Sequence, residues 1–433
     1  MNKGIQKMKY GLIGEKLGHS FSKDIHEQIA SYSYELREIP KDGLDSFMRE
    51  RDFLGINVTI PYKTDVIPYL DVMDSTAKTV GAVNTVVNRH GKLYGYNTDF
   101  IGMKNLILRN TDTLMGKTVL ILGSGGTSKT ALAVCRDLGA KTILRVSRSI
   151  PETQISDKTE NDDSGRLIGY DEAKRDYGDA DVIINTTPVG MYPKTSFSPI
   201  DLSDFKRLSL VIDVVYNPIN TNLILSAKEL GIPAQGGLYM LVGQAVAAAR
   251  IFTEKDISPE ACDRVYRDIL SKKENIYLVG MPGCGKSHVG KLVAESLGKR
   301  FIDTDAKITD KTAKTPAEII REDGEAVFRN TESEVLSEIG DKACGDIVAT
   351  GGGIILREEN IRMMKRNGKI IFIDRPLEFI KPTYDRPLSC DRNALKARYE
   401  ERYPIYSSCA DFTVKSDNCA EHTKEKILNF LAI

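Results

Sequence analysis

The stretch Thr118-Val-Leu-Ile-Leu-Gly-Ser-Gly-Gly-Thr-Ser-Lys129 is an apolar run that leads directly into a glycine-rich turn. A continuous apolar run is typical of a strand in a parallel sheet with both faces buried. An apolar-periodic helix pattern follows through Leu138, and Ile143–Val146 reads as the next strand. This order predicts a βαβ unit. Asp181–Asn185 and Leu210–Asp213 add two strands, so we predict an α/β domain here.

Upstream of this unit, short apolar runs alternate with helical patterns. Tyr10–Ile13 and Gly55–Ile60 read as strands, and Leu44–Arg51 and Thr64–Leu70 read as helices. This block predicts a small α/β domain.

Downstream, a helical pattern runs from Leu238 to about Leu270, with apolar residues repeating on one face. The short charged segment Ser271–Asn275 follows, and we predict a linker there. A new strand, Ile276–Val279, then leads into Gly280-Met-Pro-Gly-Cys-Gly-Lys-Ser287 and a helix through Leu297. A second α/β unit is therefore predicted to begin at this strand.

The overall composition excludes several classes of protein. Lys+Arg and Asp+Glu both number 60 in the 433 residues, so the formal net charge is zero. Proteins that bind nucleic acid or membrane surfaces usually carry a basic excess, so small-molecule substrates are predicted instead. The seven cysteines form no CxxC pair, which predicts reduced thiols and a cytoplasmic location. We find no signal peptide and no apolar run of about 18 residues, so no membrane span is predicted.

The first glycine-rich turn, Gly123-Ser-Gly-Gly-Thr-Ser128, lies between a predicted strand and a predicted helix. Glycine lets backbone N–H groups approach a pyrophosphate at the helix N-terminus, so dinucleotide binding is favoured over a purely structural turn. The next strand ends in Ser147-Arg148-Ser149, where an NAD site usually has a carboxylate. A guanidinium suits a 2′-phosphate, which favours NADP; the alternative is a solvated surface arginine.

The second turn fits the pattern G-x-x-x-x-G-K-[ST]. In this pattern the loop amides cradle phosphate oxygens, Lys286 reaches the terminal phosphates and Ser287 coordinates Mg²⁺. ATP and Mg²⁺ are therefore predicted cofactors. Cys284 within the loop is either a reactive thiol or, as we favour, a space-filling residue.

Further polar residues point to the chemistry of this second unit. Asp303 and Asp305 are two residues apart at a predicted strand end, so both side chains would point to the same face. One could then serve the metal while the other contacts the acceptor. Arg329 and Glu332 are three apart on a predicted helix and share a face. Gly351–Gly353 end an apolar strand and allow close backbone approach.

Seven separated motifs occur in order over about residues 8 to 270. They are His19-Ser-x-Ser22, Asn57-Val-Thr-x-Pro-x-Lys63, Gly81-Ala-Val-Asn-Thr85, Asn97-Thr-Asp99, Asn185-Thr-Thr-Pro-x-Gly-Met191, Asp213-x-x-Tyr216-x-Pro218 and Gly237-x-x-Met-Leu-Val-x-Gln244. This part of the chain resembles shikimate dehydrogenase. The resemblance implies NADPH-dependent reduction of 3-dehydroshikimate to shikimate.

The resemblance also implies residue roles. Lys63 and Asp99 would form the catalytic pair, where the alternative is a plain surface ion pair. The substrate hydroxyls and carboxylate would be held by Ser20, Ser22, Thr59, Lys63, Asn84, Asp99, Tyr216 and Gln244. The NADP site would comprise Gly123, Ser124, Gly125, Gly126, Ser147, Arg148, Met191 and Gly237.

Residues from about 275 to 433 resemble shikimate kinase, on the P-loop together with Asp303, Asp305, Arg329, Gly351–Gly353, Arg386-Pro-Leu388 and Arg402-x-Pro-x-Tyr406. The resemblance implies an ATP site of Gly283, Cys284, Gly285, Lys286, Ser287, His288 and the lid residue Arg386. It implies metal binding by Ser287 and Asp303, with Asp305 as a catalytic residue. Shikimate would be bound by Asp305, Arg329, Gly351, Gly352, Gly353 and Arg402.

We therefore expect a small substrate domain at 8–104 completed by helices at 238–270, a Rossmann-like NADP domain at 105–237 and a P-loop kinase domain with a parallel sheet at 275–433. Glu152 stands where the family often has a second basic residue, and the lid segment from Phe379 to Arg386 is short. Two alternatives remain. One is a quinate- or NAD-linked dehydrogenase joined to a kinase for a related polyol acid, and the other is an inactive kinase module that senses nucleotide.

Overall fold

The computed structural model describes residues 8–17, 21–149, 165–258, 260–340, 344–380 and 392–431. The chain forms two compact units. The first takes in the described residues of Met1–Met191, Ser196–Tyr216 and Ser226–Ile269. The second takes in those of Tyr192–Thr195, Asn217–Leu225 and Leu270–Ile433. Both units are α/β, as the sequence predicted.

The first unit begins with a mixed sheet of strand order β2-β1-β3-β5-β6-β4. Its strands are β1 Met8–Gly14, β2 Tyr34–Glu38, β3 Phe53–Val58, β4 Val72–Met73, β5 Thr85–Arg89 and β6 Lys92–Tyr96. Helices α1 Ser22–Ile29, α2 Leu44–Glu50, α3 Ser75–Val80 and α4 Thr98–Leu108 connect or follow them. β1 pairs in parallel with β2 and β3, whereas β5 is antiparallel to β3 and β6.

One predicted helix in this domain is wrong. Thr64–Leu70 is a series of turns that ends in a short 3₁₀ helix, Ile67–Tyr69. Pro68 lies at the start of this 3₁₀ helix, and proline has no N–H to bond the carbonyl four residues before it. The apolar spacing that suggested a helix instead brings Val66 into the core.

The second sheet is fully parallel, in the order β12-β11-β10-β7-β8-β9. Its strands are β7 Thr118–Leu122, β8 Thr142–Val146, β9 Arg166–Ile168, β10 Val182–Asn185, β11 Leu210–Asp213 and β12 Ala234–Gln235. Helices α5 Gly126–Asp137, α6 Tyr170–Asp176 and α7 Asn222–Glu229 lie between strands. Because the order reverses between β7 and β10, a crevice forms where their carboxyl ends diverge, and open α/β sheets bind ligands there.

The helical region after this sheet contains two helices, α8 Leu238–Thr253 and α9 Glu260–Lys273. Glu254 adopts a left-handed conformation that ends α8. The predicted linker is wrong, because α9 continues to Lys273 and the next strand begins at Asn275. Lys272 and Lys273 occupy the last turn of α9, where positive charge favours the helix C-terminus.

The second unit is built on a parallel sheet of order β14-β15-β13-β16-β17. The strands are β13 Asn275–Val279, β14 Phe301–Asp303, β15 Ile347–Ala349, β16 Gly368–Asp374 and β17 Phe412–Lys415. The helices are α10 Lys286–Leu297, α11 Thr304–Thr312, α12 Pro316–Glu322, α13 Glu325–Gly340, α14 Glu358–Asn367, α15 Arg392–Cys409 and α16 Ala420–Leu431. β13 is buried along its whole length at the centre of the sheet. Within the described part of the chain, no helix is long and apolar enough to span a membrane.

Candidate active sites

The first unit contains a cleft of about 440 Å³ between the mixed sheet, the end of β11 and helix α8. Most residues predicted to bind substrate line it together: Ser22, Thr59, Lys63, Asn84, Asp99, Tyr216 and Gln244, with Gly237 from the predicted cofactor site. Ser20 lies outside the described residues. Lys16, Asn57 and Thr127 also line the cleft and were not predicted. Two of them carried a signal in the sequence, since Asn57 opens the motif that contains Lys63 and Thr127 belongs to the dinucleotide turn, whereas Lys16 carried none.

A close ion pair lies in this cleft. Lys63 Nζ is 2.6 Å from Asp99 Oδ2, and the side chains are 29% and 17% exposed. Asp99 is in the first turn of α4, where the helix dipole favours a carboxylate. Asn97 caps that helix by accepting from the Phe100 N–H at 3.1 Å. The carboxylate thus holds the ammonium in place, where it can donate a proton to an oxygen that gains negative charge.

Neutral groups surround the pair in a buried hydrogen-bond network. Asn84 Oδ1 accepts from the Thr98 N–H at 2.7 Å, and Thr98 Oγ1 donates to Gln244 Oε1 at 3.3 Å. Deeper, Tyr34 OH donates to Asn57 Oδ1 at 2.7 Å, and Asn57 Nδ2 donates to Thr85 Oγ1 at 2.9 Å. These bonds fix the amide orientations without any ligand. Such an array can recognise hydroxyl groups at defined positions.

Tyr216 completes the cleft from the end of β11. Burial raises the pKa of its phenol, so the hydroxyl stays protonated and can act as a hydrogen-bond donor. Its ring packs against Phe21 with the centroids 5.7 Å apart. A neutral donor at this place suits a substrate oxygen.

The dinucleotide turn begins at the end of β7, at the crevice between β7 and β10. Gly123 has φ +115°, and a Cβ there would be 2.8 Å from Thr186 Oγ1. A Cβ on Gly125 or Gly126 would meet nothing within 4 Å, so these glycines face open space at the start of α5. This leaves the backbone N–H groups accessible to an anion. Ser128 is fully buried and fits the position of the missing third glycine.

The predicted ribose end of the cofactor site lies beside this turn. The Gly123 N–H donates to the Val146 carbonyl at 2.8 Å, which joins the turn to the end of β8. Ser147 and the exposed Arg148 follow directly, and the Ser147 hydroxyl accepts from the Ser149 N–H at 3.3 Å. Ser124 is exposed in the turn, and Met191 is 45% exposed. Open glycines, a helix N-terminus and an exposed guanidinium are together suited to a phosphorylated dinucleotide.

The second unit contains a cavity of about 330 Å³, with the P-loop at one end. Gly280, Gly283 and Gly285 have φ values of +145°, +82° and +101°, which L side chains rarely adopt. Lys286 Nζ donates to the carbonyls of Gly280 and Met281 at 2.9 and 3.0 Å, so the side chain curls over the loop. The following helix α10 begins at Lys286, so its N-terminus lies at the end of this loop, where it favours an anion.

The remaining P-loop residues differ in exposure. Gly283, Gly285, Lys286, Ser287 and the exposed His288 line the cavity. Cys284 is only 2% exposed and packs in the hydrophobic core, as expected of a space-filling residue.

Asp303 and Asp305 do not both lie at a strand end, as the sequence predicted. Asp303 ends β14 but acts as the cap of α11, accepting from the Asp305 and Ala306 N–H groups at 3.0 and 3.4 Å. Asp305 is therefore in a helix, and strand alternation does not apply to the pair. A carboxylate at the end of a strand can accept hydrogen bonds from the free N–H groups of the next helix. The helix therefore begins directly after the strand. Both residues nevertheless line the cavity.

Ser287 and Asp303 form a candidate magnesium site. Ser287 Oγ donates to Asp303 Oδ2 at 2.6 Å, so two oxygen ligands converge beside the P-loop. Mg²⁺ prefers oxygen ligands and is commonly held by one or two carboxylates together with phosphates and water. The described residues contain no cluster of three or more His, Cys, Asp or Glu side chains that could hold a metal. The pair therefore fits Mg²⁺ delivered with a nucleotide.

The far end of the cavity brings Arg329, Glu332 and the three glycines together. Arg329 Nη1 is 2.7 Å from Glu332 Oε2. A Cβ on Gly351 would be 2.4 Å from Glu332 Oε1, and one on Gly353 would be 2.4 Å from the Arg329 guanidinium. A Cβ at either glycine would therefore displace the end of one of these two side chains. Burial raises the pKa of Glu332, while Arg329 acts in the opposite direction.

Helix α15 closes this end of the cavity. Arg402 is 5% exposed, and its Nη1 donates to the Gly352 carbonyl at 3.2 Å. Arg398, one turn earlier, also lines the cavity and was not predicted. Its only sequence signal was its four-residue spacing from Arg402. The predicted lid residue Arg386 lies outside the described residues, as does the part of the short lid segment that follows Ile380.

Known families match both parts of the chain. A family model described as shikimate dehydrogenase substrate binding domain matches residues 12–86, and one described as shikimate kinase matches residues 282–432. The shikimate dehydrogenase (NADP(+)) of Clostridium beijerinckii is 37% identical over 265 residues, which cover 59% of this chain and 96% of that protein.

Solved structures agree. Shikimate dehydrogenase 1 from Peptoclostridium difficile is 35% identical with a TM-score of 0.53, covering 60% of this chain and 97% of that chain. A chorismate mutase/shikimate 5-dehydrogenase fusion protein from Clostridium acetobutylicum is 36% identical with a TM-score of 0.55, covering 61% and 97%. The chain therefore belongs to the shikimate dehydrogenase family, carries a shikimate kinase domain after that part, and is a bifunctional enzyme of the shikimate pathway.

Proposed function

We propose that this chain reduces 3-dehydroshikimate to shikimate with NADPH and then phosphorylates shikimate to shikimate 3-phosphate with MgATP. The observation that carries the proposal is the Lys63–Asp99 pair, 2.6 Å apart in a cleft lined by hydroxyl and amide groups. The NADP(+) specificity in the name of the Clostridium beijerinckii relative supports the choice of cofactor.

In the reduction, NADPH supplies the hydride when bound. Lys63 donates a proton to the carbonyl oxygen as it becomes an alkoxide, and Asp99 holds the ammonium in position. The substrate hydroxyls and carboxylate are bound by Ser20, Ser22, Thr59, Asn84, Tyr216 and Gln244. Arg148 would pair with the 2′-phosphate of NADP, and Met191 and Gly237 would be near its nicotinamide. The rest of the nucleotide would be held by Gly123, Ser124, Gly125, Gly126 and Ser147.

In the phosphorylation, MgATP supplies the phosphoryl group when bound. The P-loop amides and Lys286 would hold the phosphates, and Ser287 and Asp303 would hold the metal. Asp305 accepts the proton of the attacking hydroxyl. Arg329, Arg402 and Gly351–Gly353 position shikimate, and Arg386 belongs to the lid.

The domain limits are part of the same proposal. We place the substrate domain at 8–104 with helices from 238–270, the NADP domain at 105–237 and the kinase domain at 275–433. The three sheets support this division, because each is formed by strands from one of these ranges. A cytoplasmic location remains a prediction.

The test is a coupled reaction of the purified chain with 3-dehydroshikimate, NADPH and MgATP. NADPH loss is followed by absorbance and shikimate 3-phosphate by mass spectrometry. We expect the phosphorylated product only when both cofactors are present. Parallel reactions with NADH, and with quinate and NADP⁺ in the oxidative direction, test the alternative dehydrogenases. NADPH loss with shikimate accumulating would contradict the kinase half.

A further inference from the structure

Two short segments of the dehydrogenase part of the chain belong to the second compact unit. They are Tyr192–Thr195 and Asn217–Leu225, and each directly follows a residue of the proposed dehydrogenase site. Met191 precedes the first segment, and Tyr216, which lines the substrate cleft, precedes the second. The first residues of the two segments are joined by a backbone hydrogen bond of 3.0 Å. Groups that hold these segments therefore restrain the chain next to both site residues.

The end of helix α14 holds the backbone of the second segment. Asn367 Oδ1 accepts from the Ile219 N–H at 2.9 Å, and the Arg366 carbonyl accepts from the Asn220 N–H at 2.8 Å. Asn367 is 1% exposed, and its Nδ2 donates at 2.9 Å to the carbonyl of the last residue of α13. Because both ends of the amide are bonded, its orientation is fixed. The segment is thus tied to a buried group that cannot turn away from it.

The side chain of Arg366 connects the two segments. Its Nε donates to Asn222 Oδ1 at 3.3 Å in the second segment, and its Nη1 donates to Thr195 Oγ1 at 3.2 Å in the first. Both acceptor residues are buried. A guanidinium presents its N–H donors in a rigid planar fork, so one side chain can hold two segments in a fixed relation to each other.

We propose that Arg366 and Asn367 are positioning residues for the dehydrogenase reaction, although they lie in the part of the chain that matches shikimate kinase. They hold the segments that follow Met191 and Tyr216, and through these segments they restrain the two site residues themselves. The inference rests on the proposed function, in which Tyr216 binds the substrate. It adds that the kinase part of the chain contributes to the substrate affinity of the dehydrogenase.

The test compares Arg366→Met with wild type in the full chain, using steady-state kinetics of both reactions. Loss of the two hydrogen bonds should raise the dehydrogenase KM for 3-dehydroshikimate about 3- to 10-fold, because Tyr216 is then held less firmly. The dehydrogenase kcat should change less, since Lys63 and Asp99 are untouched. The kinase KM values for ATP and shikimate should stay at wild-type values, which a general loss of structure would not allow.

Two further variants test the bond itself. Thr195→Val removes the acceptor and should raise the same KM by a smaller factor. Added to Arg366→Met, it should have little further effect, because residues that act through one bond are not additive. Arg366→Lys keeps the charge without the planar fork, so we expect an intermediate KM. These two variants decide the question if Arg366→Met does not fold.

Lys365→Met is the matched control, because it removes a cation at the neighbouring position of α14. Lys365 contacts the second segment through its backbone carbonyl, which accepts from Asn220 Nδ2 at 3.0 Å and is retained in the variant. We expect wild-type KM values for both reactions. An unchanged dehydrogenase KM in Arg366→Met, or a parallel loss of both activities, would overturn the inference. Failure of the wild-type chain to reduce 3-dehydroshikimate would instead refute the proposed function.

Discussion

The two cavities of this chain differ in the polar side chains that line them, which are mostly neutral in one and mostly charged in the other. The dehydrogenase cleft has one close ion pair, Lys63–Asp99, and one further lysine, Lys16, beside a network of neutral amides and hydroxyls. The kinase cavity contains a lysine, three arginines, two aspartates and a glutamate. Neutral donors suffice to position hydroxyl groups, whereas transfer of a phosphoryl group requires several positive charges to stabilise its oxygens. The two polar patterns thus match the two proposed reactions.

The two glycine-rich turns differ in a related way. In the first, only Gly123 has a positive φ, and Gly125 and Gly126 face open space. In the second, Gly280, Gly283 and Gly285 all have positive φ, which is typical of a loop whose successive N–H groups form a concave anion-binding site. The two turns therefore differ in backbone conformation as well as in sequence.

The largest effect is expected from a substitution that breaks the close ion pair of the first cleft. Lys63→Ala should lower kcat of the dehydrogenase about 1000-fold, since general acid catalysis contributes about 10²–10⁴. NADP⁺ affinity, measured by fluorescence titration, should be nearly unchanged. Lys78→Ala, an exposed lysine on α3, is the control and should keep the wild-type rate. Wild-type turnover in Lys63→Ala would remove the catalytic role of the pair.

A pair of glycine substitutions compares Gly352, which packs against the P-loop, with Gly125 in the dinucleotide turn. A Cβ on Gly352 would lie 2.7 Å from Pro282 Cδ in the P-loop, so Gly352→Ala should displace protein atoms on both sides. We expect kinase kcat/KM to fall about 10- to 100-fold for both ATP and shikimate, together with a loss of stability of about 1–3 kcal/mol from overpacking.

Gly125→Ala places its Cβ in open space, so thermal stability should be close to wild type. The KM for NADPH should rise about 10-fold, because a methyl group would lie where the backbone must approach the pyrophosphate. Thermal unfolding and initial rates measure both variants. Equal loss of stability in Gly125→Ala and Gly352→Ala would mean that the space around these two glycines does not decide the cost of an added Cβ.

The smallest expected effect concerns the neutral network beneath the dehydrogenase cleft. His26 is fully buried, its ring stacks 3.9 Å from Tyr34, and Nδ1 is 2.7 Å from the Tyr32 hydroxyl. Burial lowers the pKa of His26 to about 3, from 6.5 for the unfolded chain. Between these values the unfolded state binds the extra proton, so stability falls as pH falls, by up to about 1.4 kcal/mol per pH unit from this group.

His26→Phe should therefore flatten the dependence of unfolding free energy on pH between about 6 and 4, measured by denaturant unfolding. Tyr32→Phe is the control, because it removes the hydroxyl partner but retains the titrating ring, and the slope should persist. A slope that is the same in His26→Phe and wild type would contradict a neutral buried His26.

Most elements of the fold could be predicted because their signals are local. The apolar run Thr118–Leu122, its glycine turn and the next strand appear where the pattern placed them. Predictions failed where local patterns had two structural meanings. Ser271–Asn275 is charged like a linker, but the charges at Lys272 and Lys273 equally suit a helix C-terminus, which is what forms. Asp303 could end a strand or cap a helix, and it does both.

The sequence by itself determined the α/β class, the two nucleotide-binding turns and the motifs of the dehydrogenase and kinase sites. These signals are readable because glycine conformation and apolar periodicity depend on only a few neighbouring residues. Only the tertiary structure decided that Lys16 lines the first cleft and that Arg398 lines the second. A polar side chain on a helix or loop can point to solvent or to a cavity at similar local cost. The choice depends on packing against elements distant in sequence, such as Gly352 against Pro282, which no local pattern encodes.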